Sequence, residues 1–146
     1  MALSNIEQFD EYTGQILGRL YQKFPVPVRV MASDYFECGP ISIANDEYKF
    51  TGHDATIFQA TAKWLVMAGY IHSPGKKNSF LDSAVLTAKG LELLKLTPSS
   101  VEGGQSLGEK LTQAAKDESR EAFRTVASEI LGLGVRFVSP LIGLSS

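Results

Sequence analysis

Apolar positions along the first quarter of the chain recur every three or four residues. Ile6, Phe9, Thr13, Ile16, Leu17, Leu20 and Phe24 fall on one stripe of a helix. Ser4 and Glu7 have the spacing at which two side chains satisfy each other's orphan amides at a helix start, and Pro25 ends the pattern. Gly14 and Gly18 interrupt the helix at a cost of about 1 kcal/mol each against alanine. Four residues apart, they either admit a close neighbouring backbone or are tolerated on the outer face. From Pro25 to Val30 the period falls to two, as in a short edge strand. Residues 32–38 read as a brief helix stopped by Gly39-Pro40, 41–44 as strand or extended chain, and 45–49 as a turn or helical turn.

A second helix is predicted over 54–68. Thr51 and Asp54 repeat the capping spacing, Gly69 supplies the stop, and Ile57, Thr61, Trp64, Leu65 and Ala68 form the inward stripe, widened by Phe58 and Ala62. Thr56, Gln59 and Lys63 lie opposite. Residues 70–73 and 80–87 alternate as two strands of a hairpin, whose connection at 73–79 contains Lys76, Lys77 and Asn78. Thr87 caps a short helix to Leu96. Residues 97–105 have linker composition, and a last helix starts at Ser106 with Glu109 in the capping position. Its apolar face runs Leu107, Leu111, Ala114, Ala115, Ala122, Phe123, Val126 and Ile130.

Residues 64–71 (Trp-Leu-Val-Met-Ala-Gly-Tyr-Ile) and 85–94 (Val-Leu-Thr-Ala-Lys-Gly-Leu-Glu-Leu-Leu), in the order helix, helix, hairpin, helix, resemble the winged helix-turn-helix family. The resemblance covers about 5–96, with its specific part within 53–94. It implies an α+β fold: a winged helix-turn-helix domain at 5–96, a linker at 97–105 and a C-terminal helical extension at 106–146. It also implies that helix 54–68 is a recognition helix, that Ile71 and Leu86 are buried in the wing, and that Lys76, Lys77 and Asn78 form the wing tip. The DNA-binding residues would then be Thr56, Gln59, Lys63, Lys76, Lys77 and Asn78. Glutamine pairs with adenine, threonine meets a thymine methyl, and lysine neutralises phosphate.

Charge and composition narrow the functional classes. Of 146 residues, 14 are basic and 16 acidic, so the chain as a whole is no polyanion binder. Residues 51–100 carry 5 basic and 3 acidic groups, whereas the first fifty carry 4 and 7. The single Cys38 excludes an internal disulfide framework, and its spacing to His53 and His72 matches no metal or nucleophile signature. No phosphate-binding loop of the Gly-x-x-x-x-Gly-Lys-Ser/Thr type occurs. A non-enzymatic protein without cofactor is expected, and the first residues lack a signal-peptide pattern, which points to the cytoplasm.

The end of the chain is apolar: Ile130, Leu131, Leu133, Val135, Phe137, Val138, Leu141, Ile142 and Leu144. A fifteen-residue helix reaches only about 22 Å, too short for a bilayer. Burial on a twin subunit through helix 107–131, on a partner protein through 107–144, or on its own core are the alternatives. Two functions follow from these observations. One is a dimeric DNA-binding transcriptional regulator. The other is a protein-interaction module on the same fold (an adaptor, antitoxin or immunity protein), suggested by the acidic first third, the single lysine of helix 54–68 and the apolar tail.

Overall fold

The computed structural model describes residues 3–37, 41–44, 47–50, 52–74, 80–98 and 104–145. Helix α1 spans Asn5–Lys23. Its capping box is formed as the Ser4–Glu7 spacing predicts: Glu7 N donates to Ser4 Oγ and Ser4 N donates to Glu7 Oε1, both at 3.1 Å. Those hydrogen bonds hold the Glu7 carboxyl below its ordinary pKa, and an identical box at Ser106 does the same for Glu109.

Strand β1 (Val28–Val30) and a single 3-10 turn at Ala32–Asp34 follow. Strands β2 (Ile41–Ala44) and β3 (Glu47–Phe50) pair as a separate antiparallel hairpin. The expected turn or helical turn at 45–49 is thus replaced, over its described part, by a strand. Helix α2 (His53–Met67), β4 (Ile71–His72), β5 (Leu81–Leu86) and α3 (Ala88–Lys95) complete the first 96 residues. The three-stranded sheet has the order β1–β5–β4, all neighbours antiparallel. Val28 faces Ala84 and Val30 faces Leu81, so β5 holds one residue more than β1 across this stretch. The irregularity breaks the alternation, and Asp82 and Ser83 both reach solvent between buried Leu81 and Ala84.

Local signals behave as their chemistry predicts at both the end of α2 and the start of α3. Gly69, at φ +88°, ends α2 with Tyr70 N donating to Leu65 O and Gly69 N to Val66 O. Thr87 caps α3 through Gly90 N at 3.1 Å. At the start of α2 the cap is Gly52, with φ +111° and no side-chain bond, while Thr56 Oγ1 donates back to Gly52 O at 2.8 Å. Thr51, expected to cap this helix, lies outside the described residues.

The expected single terminal helix is two: α4 (Leu107–Lys116) and α5 (Arg120–Ser145). Between them Glu118 adopts φ +51°, with Ser119 N bonded to Ala114 O and Glu118 N to Ala115 O. Glycine usually fills this left-handed position because a Cβ is strained there. Glu118→Gly is therefore expected to stabilise the fold by about 0.5–1 kcal/mol, read as a higher urea midpoint at unchanged slope. An unchanged or lower midpoint would contradict that reading of the corner.

Both terminal helices pack on α1. Leu107, Leu111, Ala114, Phe123, Val126 and Ile130 join Ile16, Leu17, Leu20, Phe58, Leu65, Leu93 and Leu94 in one buried cluster. The boundary expected at 97–105 is therefore not a boundary in the core, and the apolar face of 107–130, apart from exposed Ala115, is covered by its own chain rather than left for a twin subunit. Gly14 and Gly18 take the close-approach alternative: Cβ atoms there would lie 2.6 Å from Phe123 O and 3.2 Å from Leu111 Cβ. Buried Glu11 locks the same interface by accepting from Arg124 Nη1 at 3.0 Å. Among the described residues no helix is long and apolar enough to cross a membrane.

Candidate functional site

The surface of α2 is set by which of its residues the core takes. Ala55, Phe58, Gln59, Ala62 and Leu65 recur at three- and four-residue spacing and are buried, together with Thr61. Phe58 anchors the set. It packs against Tyr12 of α1 and against Tyr35 and Phe36 beyond the 32–34 turn, with ring centroids 4.7–5.8 Å apart. These contacts turn α2 by about one residue relative to the stripe expected from its sequence.

The turn changes the candidate residues. Gln59, expected on the outer face, is 7% exposed, and its Oε1 accepts the backbone amide of Ala32 at 3.0 Å. It is a structural bridge between α2 and the 32–34 turn, and its side chain is withdrawn from the surface. Thr56 and Lys63 are exposed as expected. Lys76, Lys77 and Asn78 lie outside the described residues.

Trp64, expected in the inward stripe, is 40% exposed. Its ring meets Phe9 edge-on at 5.1 Å and lies nearly parallel to Tyr70 at 6.2 Å. Lys89 closes the far side, with Nζ 4.5 Å from the centre of the Tyr70 ring and donating to Ala68 O at 3.1 Å. Burial pushes the Tyr70 phenol up, so it stays protonated. Met67, one turn beyond Trp64, is 79% exposed, and Ile6, one turn before Phe9, is 69% exposed. The outer face of α2 thus presents Thr56, Ala60, Lys63, Trp64 and Met67: small, apolar or aromatic groups around a single cation.

Among the described residues several cations are held in ion pairs. Arg29 pairs with Asp34, Lys110 with Glu129, Lys95 with Glu92, and Arg124 with Glu11. Among the described residues no group of three or more histidine, cysteine or acidic side chains is placed to hold a metal ion. His53 and His72 are exposed on separate elements, and Cys38 lies outside the described residues. Exposure of Trp64 and Met67 had no separate signal in the sequence, since an apolar residue at helical spacing reads as core until its neighbours are known. Comparison of the chain with protein-family models, curated proteins and solved structures found no match in any of the three.

Proposed function

We propose that the chain is a non-enzymatic winged-helix module that docks another protein on the outer face of α2. The strand order β1–β5–β4, with α1 before β1 and α2 leading into β4, supports the winged-helix part of this reading. The carrying observation is the exposure of Trp64 and Met67 on the helix that would otherwise read DNA. Protein interfaces are enriched in tryptophan and methionine and depleted of charge at their centre. A duplex-reading helix needs cations for phosphate, and α2 carries only Lys63. The fitting partner is an apolar segment with an acidic residue opposite Lys63.

A photo-crosslinking residue in place of Met67, introduced in the source cells, tests this. One discrete protein adduct is expected, lost when Lys63→Glu is added. Absence of any protein adduct would overturn the reading.

A second reading keeps the same face for DNA. Thr56 and Lys63 are exposed two turns apart on α2, and the chain carries Lys76, Lys77 and Asn78 between β4 and β5. On that reading, a regulator binds duplex DNA weakly, with retention at about 50 mM salt that falls steeply by about 200 mM. Loss of retention in Lys63→Glu, together with no protein adduct at position 67, would select it.

A further inference from the structure

We propose that the cleft between α1, the 32–34 turn and the α4–α5 corner binds a small organic anion, a planar ring bearing a carboxylate and a hydroxyl. The cleft is open to solvent and has a volume of about 560 Å³, within the range of small-molecule sites. Its lining combines Arg19, Lys23 and Arg120 with Gln15 and two aromatic rings, Tyr35 and Phe123. No residue of the α2 outer face lines it, so the proposal is independent of the docking surface above.

The charge in the cleft is unbalanced toward positive. Asp34 also lines it but is already matched, holding Arg29 through two hydrogen bonds of 2.6 and 3.0 Å. That leaves Glu118 as the acidic group facing three cations. Among the described residues no carboxylate lies within 4.0 Å of Arg19 or Lys23. Arg120 approaches Glu11 only to 3.9 Å, because Arg124 holds the short contact with that carboxylate. Arg19 instead lies over the Tyr35 ring at 5.4 Å, a cation beside an aromatic wall. An arginine in that position offers a planar fork that fits a carboxylate with two hydrogen bonds.

Two polar atoms add direction. Tyr35 Oη and Gln15 Oε1 are buried and without a hydrogen-bond partner, an unfavourable arrangement that a ligand's polar groups would relieve. Burial keeps the Tyr35 phenol protonated, so it is a donor for an anion. Gln15 Oε1 is an acceptor and therefore calls for a ligand hydroxyl. Gln15, Tyr35 and Arg120 also line an adjoining cleft of about 290 Å³, so they form the wall between the two. Gln15 is half-buried, and its side chain stands with Tyr35 and Phe123 in the lining of the larger cleft.

The test is a titration of the full chain, followed by amide chemical shifts, with 3-hydroxybenzoate, benzoate and inorganic phosphate up to about 10 mM at low salt. Expected are saturable shifts at Gly18, Arg19, Tyr35, Glu118 and Arg120 with 3-hydroxybenzoate, weakened about tenfold for benzoate and about tenfold in Arg19→Gln. Lys23→Gln, at an exposed position, gives a smaller loss of affinity and serves as the second variant if Arg19→Gln lowers the thermal midpoint. No saturable shift with any probe would overturn the proposal. So would equal affinity for phosphate and 3-hydroxybenzoate, or unchanged affinity in both variants.

Discussion

Gly14→Ala is expected to destabilise the protein by about 2 kcal/mol, although alanine is the better helix former by about 1 kcal/mol. The added Cβ would lie 2.6 Å from the carbonyl oxygen of Phe123 and 3.1 Å from its carbonyl carbon. Neither atom can swing away as a side chain tip does, because both belong to the backbone of α5. Relief requires α5 to move off α1, which loosens the Glu11–Arg124 bond and the packing of Phe123 together. In a chain of this size the thermal midpoint falls by about 6–8 °C for such a loss. Gly18→Ala meets side-chain atoms alone, the nearest being Leu111 Cβ at 3.2 Å, and is expected to be nearly neutral, crowding being offset by propensity. Gly132→Ala, with nothing within 4 Å, is expected to raise the midpoint. Thermal unfolding of the three variants side by side checks the ranking. A Gly14→Ala protein as stable as the parent would mean that α1 and α5 do not cross closely there.

The elements legible in the sequence are those whose signals are local. Ser4 with Glu7, Thr87 with Gly90, and Gly69 each act within one turn of chain, and each forms the cap its residues imply. β3 carried a usable signal that the polar composition of 45–49 obscured: Tyr48 and Phe50 alternate with polar residues as strand positions do. The α4–α5 break was also legible in principle. An uninterrupted helix with Leu107, Leu111 and Ala114 inward would place residue 118 on the same face, and that residue is a glutamate. No glycine or proline marks the corner, which is why a continuous helix was the natural expectation.

The candidate site was less legible, since its exposure is decided by contacts far along the chain. Gln59 turns inward because the amide of Ala32, 27 residues earlier, needs an acceptor. Trp64 reaches the surface because Phe58, and not Ile57, fills the aromatic cluster with Tyr12, Tyr35 and Phe36. A one-residue rotation of a helix exchanges its apolar edge for its polar edge while leaving its periodicity unchanged. Periodicity therefore located α2 correctly and misassigned two of its side chains. The cleft lined by Arg19 and Arg120 is further from local reading still, because it joins residues of α1 to the corner that a single terminal helix would not have.

That corner also decides what the first 104 residues do alone. A chain ending at Gly104 is expected to lose its cooperative fold. It lacks Leu107, Leu111, Phe123, Val126 and Ile130, all buried in the common cluster. Each such side chain contributes about 1.5–3 kcal/mol by leaving water, so their combined removal is comparable with the whole stability of about 5–15 kcal/mol of an ordinary domain. The loss falls on one surface. Gly14 and Gly18, which have no side chains to cover themselves, would face water along the middle of α1, and Glu11 would lose Arg124. A chain ending at Arg136, by contrast, keeps every buried residue described in α5, of which Gly134 against the Tyr70 phenol is the last. It is expected to unfold cooperatively. Urea titrations of the two truncations, followed by circular dichroism, separate the cases. A sigmoidal transition in the 1–104 chain would show that α4 and α5 are an appendage to a self-sufficient domain. A broad, featureless curve for 1–104 beside a sharp one for 1–136 would place both helices within the folding unit itself.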